Sequence, residues 1–156
     1  EERADLHMIS HFHKKFKNKK MKVREKIKEA VLLRLQGEDK NNKTVLNKLT
    51  NFYCKPTNYN IALKSLWQTV SKIWYLAGDE SLDFNYYSKR ILLFSIYKAT
   101  LMYYIADDSK DAKLTELFLE RRIENVMQLS NIKKIIPTSL ERIKNKIPFI
   151  RLINKK

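Results

Sequence analysis

The sequence predicts an all-α protein, and three observations support this fold class. The 156 residues include only 2 glycines and 3 prolines, too few for the tight turns that sheets need. Apolar residues make up 44% of the chain, which is enough for a hydrophobic core. These apolar residues recur at intervals of three and four along several segments, which is the period of an amphipathic helix. We therefore expect a bundle of long helices with short connections.

The periodic segments predict helices over residues 21–35, 44–53, 60–77, 83–105 and 110–128, preceded by a short helix within residues 1–21. Gly37 is expected to cap the C-terminus of the helix over 21–35, and Gly78 with Asp79 marks a corner between two long helices. We divide the chain into a basic N-terminal segment (1–20), a helical domain (21–130) and a basic amphipathic tail (131–156).

The net charge of +15 favours an anionic partner. Phospholipid headgroups, nucleic acid and an acidic protein face all satisfy that condition, and the charge does not choose among them. Cys54 is the single cysteine, so an intrachain disulfide is excluded and a reducing compartment fits. The most apolar stretch, residues 91–106, would span roughly 24 Å as a helix, which is short for a bilayer core.

Two tryptophans lie on one face of the predicted helix over 60–77. Trp67 and Trp74 are separated by two helical turns, and Leu66 and Val70 belong to the same apolar side. Such a face is typical of a hydrophobic core. It is also typical of the wall of an apolar ligand pocket, and the residue pattern is compatible with both interpretations.

The predicted helix over 83–105 is apolar nearly all round, from Ile91 to Ile105. A helix without a polar face must be buried on several sides, which a small monomer does not easily achieve. We therefore predict that this helix forms the seam of a homodimer.

The sequence contains no arrangement that indicates an enzyme. We find no nucleophile beside a base and no phosphate-binding loop. His7 and His11 share a helical face near Asp5, but three such residues without a second shell do not predict a metal site. The acids at the corner, Asp79 and Asp83, are expected to cap helices or to contact a partner.

The tail combines an apolar stripe with a basic face. It carries isoleucines and leucines at nearly one per turn, with a local charge of +7 over residues 131–156. This pattern is typical of a helix on an anionic membrane surface, although a helix folded back on the domain would show it too. The membrane-contact residues that we predict are Leu140, Ile143, Lys144, Ile147 and Arg151.

The corner stretch matches a specific signature. The pattern W-x-x-AGD-x-S-x-D-x-N-x-Y-[ST]-KR is present as Trp74, Ala77, Gly78, Asp79, Ser81, Asp83, Asn85, Tyr87, Ser88, Lys89 and Arg90. It resembles the signature of the Coq-nine family, which are ubiquinone-biosynthesis accessory proteins with a fold like that of the TetR regulators. Residues 22–35, 97–109 and 118–126 also resemble their family counterparts, so the resemblance covers roughly residues 21–130.

The resemblance implies a TetR-like helical bundle that binds an isoprenoid or another lipid, such as a phospholipid, and that has no catalytic activity and no cofactor. The bundle would present a quinone precursor to a membrane-associated hydroxylase. It implies a lipid pocket lined by Leu66, Trp67, Val70, Trp74, Tyr97 and Leu101. The implied partner-contact residues are Ile73, Asp83, Tyr86, Tyr87 and Arg90. It also implies a dimer and an amphipathic last helix at the membrane.

The alternative is a TetR-type transcriptional regulator whose DNA-reading helices are not in this chain. Residues 1–20 are too short for the three helices of that unit, so nucleic-acid binding is not expected here. We expect a protein of the bacterial cytoplasm, peripheral on the inner face of the cytoplasmic membrane.

Overall fold

The structure, a computed structural model, describes residues 2–17, 20–37, 41–79 and 84–135. Within these residues the protein is entirely helical, which confirms the all-α prediction. The helices are α1 (Glu2–Phe16), α2 (Val23–Gln36), α3 (Asn42–Tyr53), α4 (Tyr59–Ala77), α5 (Phe84–Ala106) and α6 (Lys113–Ile135). Short 3-10 turns, Pro56–Asn58 and Lys110–Ala112, precede α4 and α6.

The chain divides into two compact units, residues 1–123 and 124–156. In the first unit α2 packs against α1 and α4, and α4 packs against α5. Side chains from all six described helices contribute to its core, and its fully buried apolar residues include Met8, Val31, Leu35, Val70, Ile73 and Leu119. In the second unit the structure describes residues 124–135, which form the last turns of α6.

The first helix is longer and more firmly packed than the sequence predicts. It spans 15 residues and buries Met8 and Phe12. It also buries Asp5, whose Oδ1 accepts hydrogen bonds from Arg34 Nε at 2.7 Å and from Thr69 Oγ1 at 3.0 Å. Lys72 Nζ reaches Asp5 Oδ2 at 2.8 Å. Residues from α1, α2 and α4 therefore share one buried ionic cluster, and α1 belongs to the same compact unit as the helices that follow.

Both glycines end helices, as predicted. Gly37 follows α2, and its N–H donates to Leu33 O at 3.1 Å. Gly78 follows α4 in the left-handed conformation, with φ of 85° and ψ of 34°. A second charged contact, Lys28 Nζ to Glu120 Oε1 at 2.8 Å, links α2 to the first turns of α6.

The start of α6 is built around Asp107. The Asp107 carboxylate accepts hydrogen bonds from the backbone N–H groups of Ser109 and Thr115, and from the Thr115 hydroxyl at 2.5 Å. Burial opposes ionisation of this carboxyl, but the hydrogen bonds from Ser109 and Thr115 outweigh it and lower the pKa of Asp107 to about 2. The carboxylate therefore fixes the turn between α5 and α6.

Candidate functional site

The α4–α5 corner begins with a regular helix C-cap. Gly78 N–H donates to Tyr75 O, and Asp79 N–H donates to Trp74 O, both at 3.0 Å. This pair of bonds is the Schellman arrangement, which needs a left-handed residue at the position of Gly78. These two backbone hydrogen bonds complete the helix cap without any side chain. The Asp79 side chain is therefore available for another role.

The Asp79 carboxylate reaches across the corner to the first turns of α5. Its Oδ1 lies 2.6 Å from Lys89 Nζ, and its Oδ2 lies 3.2 Å from Arg90 Nη1. The side chains of Asp79 and Arg90 are only 4% and 6% exposed, so this ion pair is largely shielded from water. Asp79 therefore connects the end of α4 to the start of α5.

Arg90 is the centre of the corner. Besides Asp79, its guanidinium donates to Tyr86 O at 3.1 Å and to Ser71 Oγ at 3.3 Å. Its Cζ atom also lies 3.4 Å from the centroid of the Tyr86 ring. A guanidinium that stacks on an aromatic ring while it binds a carboxylate uses both properties that distinguish arginine from lysine. Arg90 thereby holds Tyr86 in one orientation.

Both tryptophans of α4 contact this end of α5. The Trp67 ring stacks on the Tyr87 ring with centroids 6.3 Å apart, and Tyr87 meets Tyr86 edge to face at 5.1 Å. Trp74 Nε1 donates to Lys89 O at 3.1 Å, and the Lys89 ammonium lies 5.6 Å from the Trp74 ring. We call this set, Trp67, Trp74, Asp79, Tyr86, Tyr87, Lys89 and Arg90, the corner cluster.

The predicted partner-contact residues occupy three different environments. Tyr87 is 58% exposed and lies on the outside of the corner cluster. Tyr86 is half-buried, whereas Ile73 is 0% exposed and Arg90 is 5% exposed. Asp83 lies outside the described residues. Partner contact stays a prediction for this group, and in the described chain Tyr87 is its most accessible member.

The residues of the predicted lipid pocket are likewise divided. Val70 and Tyr97 are buried, and Leu66, Trp67, Trp74 and Leu101 are half-buried. Burial raises the pKa of the Tyr97 hydroxyl, and nearby Arg34 opposes that rise in part. Trp67 and Trp74 are held by the corner cluster on one side, so these two are placed between the bundle interior and the surface. Lipid binding stays a prediction.

Sequence reasoning missed three contributors to this site: Ser71, the reach of the Asp79 side chain, and the double contact of Lys89. The acidic and basic residues of the corner motif were visible, but their pairing depends on the angle at which α4 meets α5. A carboxylate followed ten and eleven residues later by Lys89 and Arg90 was the available signal.

The predicted membrane-contact residues, 140–151, lie outside the described residues. In the described part of the chain, none of the helices is both long and apolar enough to pass through a bilayer. Among the same residues, no three His, Cys, Asp or Glu side chains are grouped as metal ligands would be.

The region that contains this corner is similar to known proteins. Residues 59–130, from the start of α4 into α6, match the COQ9 family model. The chain is 34% identical over 88 residues to the human protein named ubiquinone biosynthesis protein COQ9, mitochondrial, which covers 56% of this chain and 28% of the human protein.

Two other eukaryotes also have similar proteins. A fission yeast (Schizosaccharomyces pombe) protein with the same name is 33% identical over 78 residues, which is 50% of this chain and 31% of that protein. The Dictyostelium discoideum protein named probable ubiquinone biosynthesis protein coq9, mitochondrial, is 33% identical over 81 residues, 52% of this chain and 26% of that protein. The matched stretch thus spans less than a third of each relative.

The family match and the relatives agree with the resemblance seen in the corner motif, and the motif lies inside the matched residues. Residues 59–130 of the chain are therefore similar to the COQ9 family.

Proposed function

We propose that this protein is a non-catalytic accessory protein of ubiquinone biosynthesis, which binds an isoprenoid quinone precursor and presents it to the hydroxylase of the pathway. The observation that carries the proposal is the family match over residues 59–130, which contain the corner cluster and all six predicted pocket residues. The names of the relatives place those proteins in ubiquinone biosynthesis. The match favours this role over that of a TetR-type regulator.

The geometry of the corner supports a contact role for Tyr87. An exposed tyrosine that is stacked on a tryptophan loses little side-chain freedom on binding, and rigid aromatic anchors of this type are enriched at protein interfaces. Tyr75 adds a second exposed aromatic ring on α4, four residues after Ser71. The hydroxylase would thus bind across the ends of α4 and α5.

The ligand is tested by mass spectrometry of lipids extracted from the protein purified out of its native cells. The proposal predicts an isoprenoid quinone precursor at about one molecule per protein. A variant with Tyr97→Trp, which adds volume among the predicted pocket residues, should retain the fold and lose the lipid. Recovery of no isoprenoid compound from the native protein would contradict the lipid-binding part of the proposal.

The membrane contact is tested with vesicles that contain phosphatidylglycerol, using the full chain and a chain that ends at residue 130. Eight Lys and Arg residues after position 130 would contribute roughly 1 kcal/mol each near an anionic surface. The full chain should sediment with these vesicles and not with neutral phosphatidylcholine vesicles. Equal sedimentation of both chains would contradict a role for the tail.

A second copy of the chain is the proposed partner of α5. Its outer face exposes Ile91, Leu92 and Met102, while Leu93 and Ile96 are buried. Leu114 and Leu117 of α6 are also exposed. Met102→Glu should convert a dimer to a monomer in sedimentation equilibrium, whereas Tyr75→Glu on α4 should not. A wild-type protein that is monomeric at micromolar concentrations would rule out the seam.

The location at the inner face of a bacterial cytoplasmic membrane also remains a proposal. The relatives carry a mitochondrial designation in their names, so a mitochondrial membrane is the competing location. Fractionation of native cells, with the protein detected by antibody, distinguishes these two locations.

A further inference from the structure

The buried carboxylate of Asp79 has a role that capping of the corner does not explain. The backbone of the cap is complete through Gly78 N–H and Asp79 N–H, neither of which involves the carboxylate. That carboxylate instead accepts from Lys89 and Arg90, two cations at the start of the next helix. A carboxylate in such a position costs free energy to desolvate, which the two cations must offset.

A series of side-chain contacts connects this carboxylate, through one of its two cations, to the exposed ring of Tyr87. Arg90 lies between Asp79 and the Tyr86 ring, and it donates to the Tyr86 carbonyl as well. Tyr86 packs edge to face on Tyr87, whose other neighbour is Trp67. A continuous set of contacts therefore runs from a buried carboxylate to the most exposed aromatic ring of the corner cluster.

We propose that Asp79 is a positioning residue, which acts through Arg90 and Tyr86 to hold Tyr87 in the orientation that contacts the partner. This inference rests on the proposed function, because the partner is the hydroxylase named there. It also changes the role of Arg90. Its side chain is too deeply buried to be a first contact, and it supports the tyrosines from beneath.

Neutralising Asp79 should release this support without emptying space in the core. Asp79→Asn has nearly the same shape, but it leaves the Arg90 guanidinium without its anionic partner in a shielded site. The charged Arg90 side chain is then better solvated if it turns toward water, and the Tyr86 ring loses the guanidinium stacked on it. Asp79→Glu keeps the charge and should restore part of the wild-type behaviour.

The chain offers a closely matched control. Asp5 is also a carboxylate with a side chain only 3% exposed, and it is also paired with one arginine and one lysine, Arg34 and Lys72. It lies in the α1–α2–α4 cluster and not in the corner cluster. Asp5→Asn therefore reproduces the chemical change and the expected loss of stability, without the proposed effect on Tyr87.

The first measurement needs no partner. The chain has 2 tryptophans, so in a Trp74→Phe background Trp67 is the only one, and its fluorescence reports the stack with Tyr87. Asp79→Asn and Tyr87→Ala should shift the emission and raise the acrylamide quenching of Trp67 in the same direction. Asp5→Asn should leave both unchanged in the folded protein. Unchanged Trp67 fluorescence in Asp79→Asn would overturn the positioning role.

The second measurement is the affinity for the purified hydroxylase of the same organism, in detergent, by surface plasmon resonance. Asp79→Asn should weaken binding about tenfold, and Asp5→Asn by less than about twofold once the folded fraction is accounted for. In a Tyr87→Ala background, Asp79→Asn should have little further effect. A full tenfold loss in that background would show that Asp79 acts independently of Tyr87 and would overturn the inference.

Failure of the proposed function gives a different result. If Tyr87→Ala binds the hydroxylase as tightly as the wild type, the corner is not the contact surface. The Trp67 fluorescence then still decides whether Asp79 orients Tyr87.

Discussion

Arg34 Nε lies 2.7 Å from Asp5 Oδ1 in an ion pair whose two side chains are 2% and 3% exposed. The pair joins α1 to α2, and Thr69 and Lys72 extend it to α4. Removal of one partner from a buried pair leaves an uncompensated charge, which is far more costly than losing a surface pair.

Asp5→Ala should therefore lower the free energy of unfolding by about 3–5 kcal/mol, measured by urea denaturation. The control is Glu29→Ala, because Glu29 joins the same two helices through the more exposed Lys15 at 3.3 Å. That variant should lose less than about 1 kcal/mol. Equal losses in the two variants would mean that the buried cluster does not anchor α1.

The stability of the protein should depend on pH through Asp107. Its pKa falls from 3.8 in the unfolded chain to about 2 in the folded protein, because hydrogen bonds from Ser109 and Thr115 outweigh the effect of burial. A depressed folded-state pKa contributes stability above pH 3.8, and this contribution is lost as the pH falls toward 2.

We expect this contribution to be on the order of 1–2 kcal/mol at pH 7, allowing for screening by solvent. Chemical denaturation from pH 6 to pH 2 should show a smaller loss of stability in Asp107→Asn than in the wild type. If the two proteins lose stability in parallel over that range, the pKa of the Asp107 carboxyl is not lowered in the folded protein.

The two glycine caps should respond differently to alanine. At Gly78, with φ of 85°, a Cβ would have Lys26 Nζ as its nearest neighbour at 3.9 Å, so only the left-handed backbone opposes the substitution. At Gly37, with φ of 60° and ψ of −165°, a Cβ would lie 2.7 Å from the Asn42 side chain, which donates to Leu35 O.

Gly78→Ala should cost about 1–2 kcal/mol of unfolding free energy, the backbone strain alone. Gly37→Ala should cost more, because it adds a steric conflict and a displaced hydrogen bond to a conformation that suits only glycine. Thermal unfolding of both variants at equal concentration tests the order, and a more stable Gly37→Ala than Gly78→Ala would contradict it.

Trp67 and Ile73 should differ in their contributions to stability, although both lie on α4. Ile73 is fully buried, so Ile73→Ala should cost about 2–5 kcal/mol. Trp67 is half-buried and stacks on Tyr87, so Trp67→Ala should cost only about 1–2 kcal/mol. A loss of more than about 3 kcal/mol in Trp67→Ala would place this ring in the core instead.

Helix periods and glycine caps were enough to locate the helices. The predicted 60–77 and 83–105 correspond to Tyr59–Ala77 and Phe84–Ala106, because Gly78 marks the end of α4 without ambiguity. The predicted 110–128 corresponds to Lys113–Ile135, where a 3-10 turn delays the start of the helix and residues 129–135 contain no glycine or proline. Local chemistry therefore determines where a helix stops.

The side-chain contacts between helices could not be predicted from the sequence in the same way. Arg34 lies on the apolar side of α2, where the period alone does not reveal its buried partner 29 residues earlier. The family resemblance implied that Arg90 contacts a partner, yet Asp79, Ser71 and the Tyr86 ring enclose it. These contacts depend on the angle between helices, which residue spacing within one helix does not encode.

We propose that the exposed Tyr87 contacts the hydroxylase to which the protein presents its quinone precursor. The most direct measurement is the ratio of unhydroxylated precursor to ubiquinone, by mass spectrometry, in cells whose own gene carries Tyr87→Ala. We expect the precursor to accumulate and ubiquinone to fall, while the amount of the protein and its bound lipid stay at wild-type levels. Normal ubiquinone levels in those cells would contradict the contact role of Tyr87.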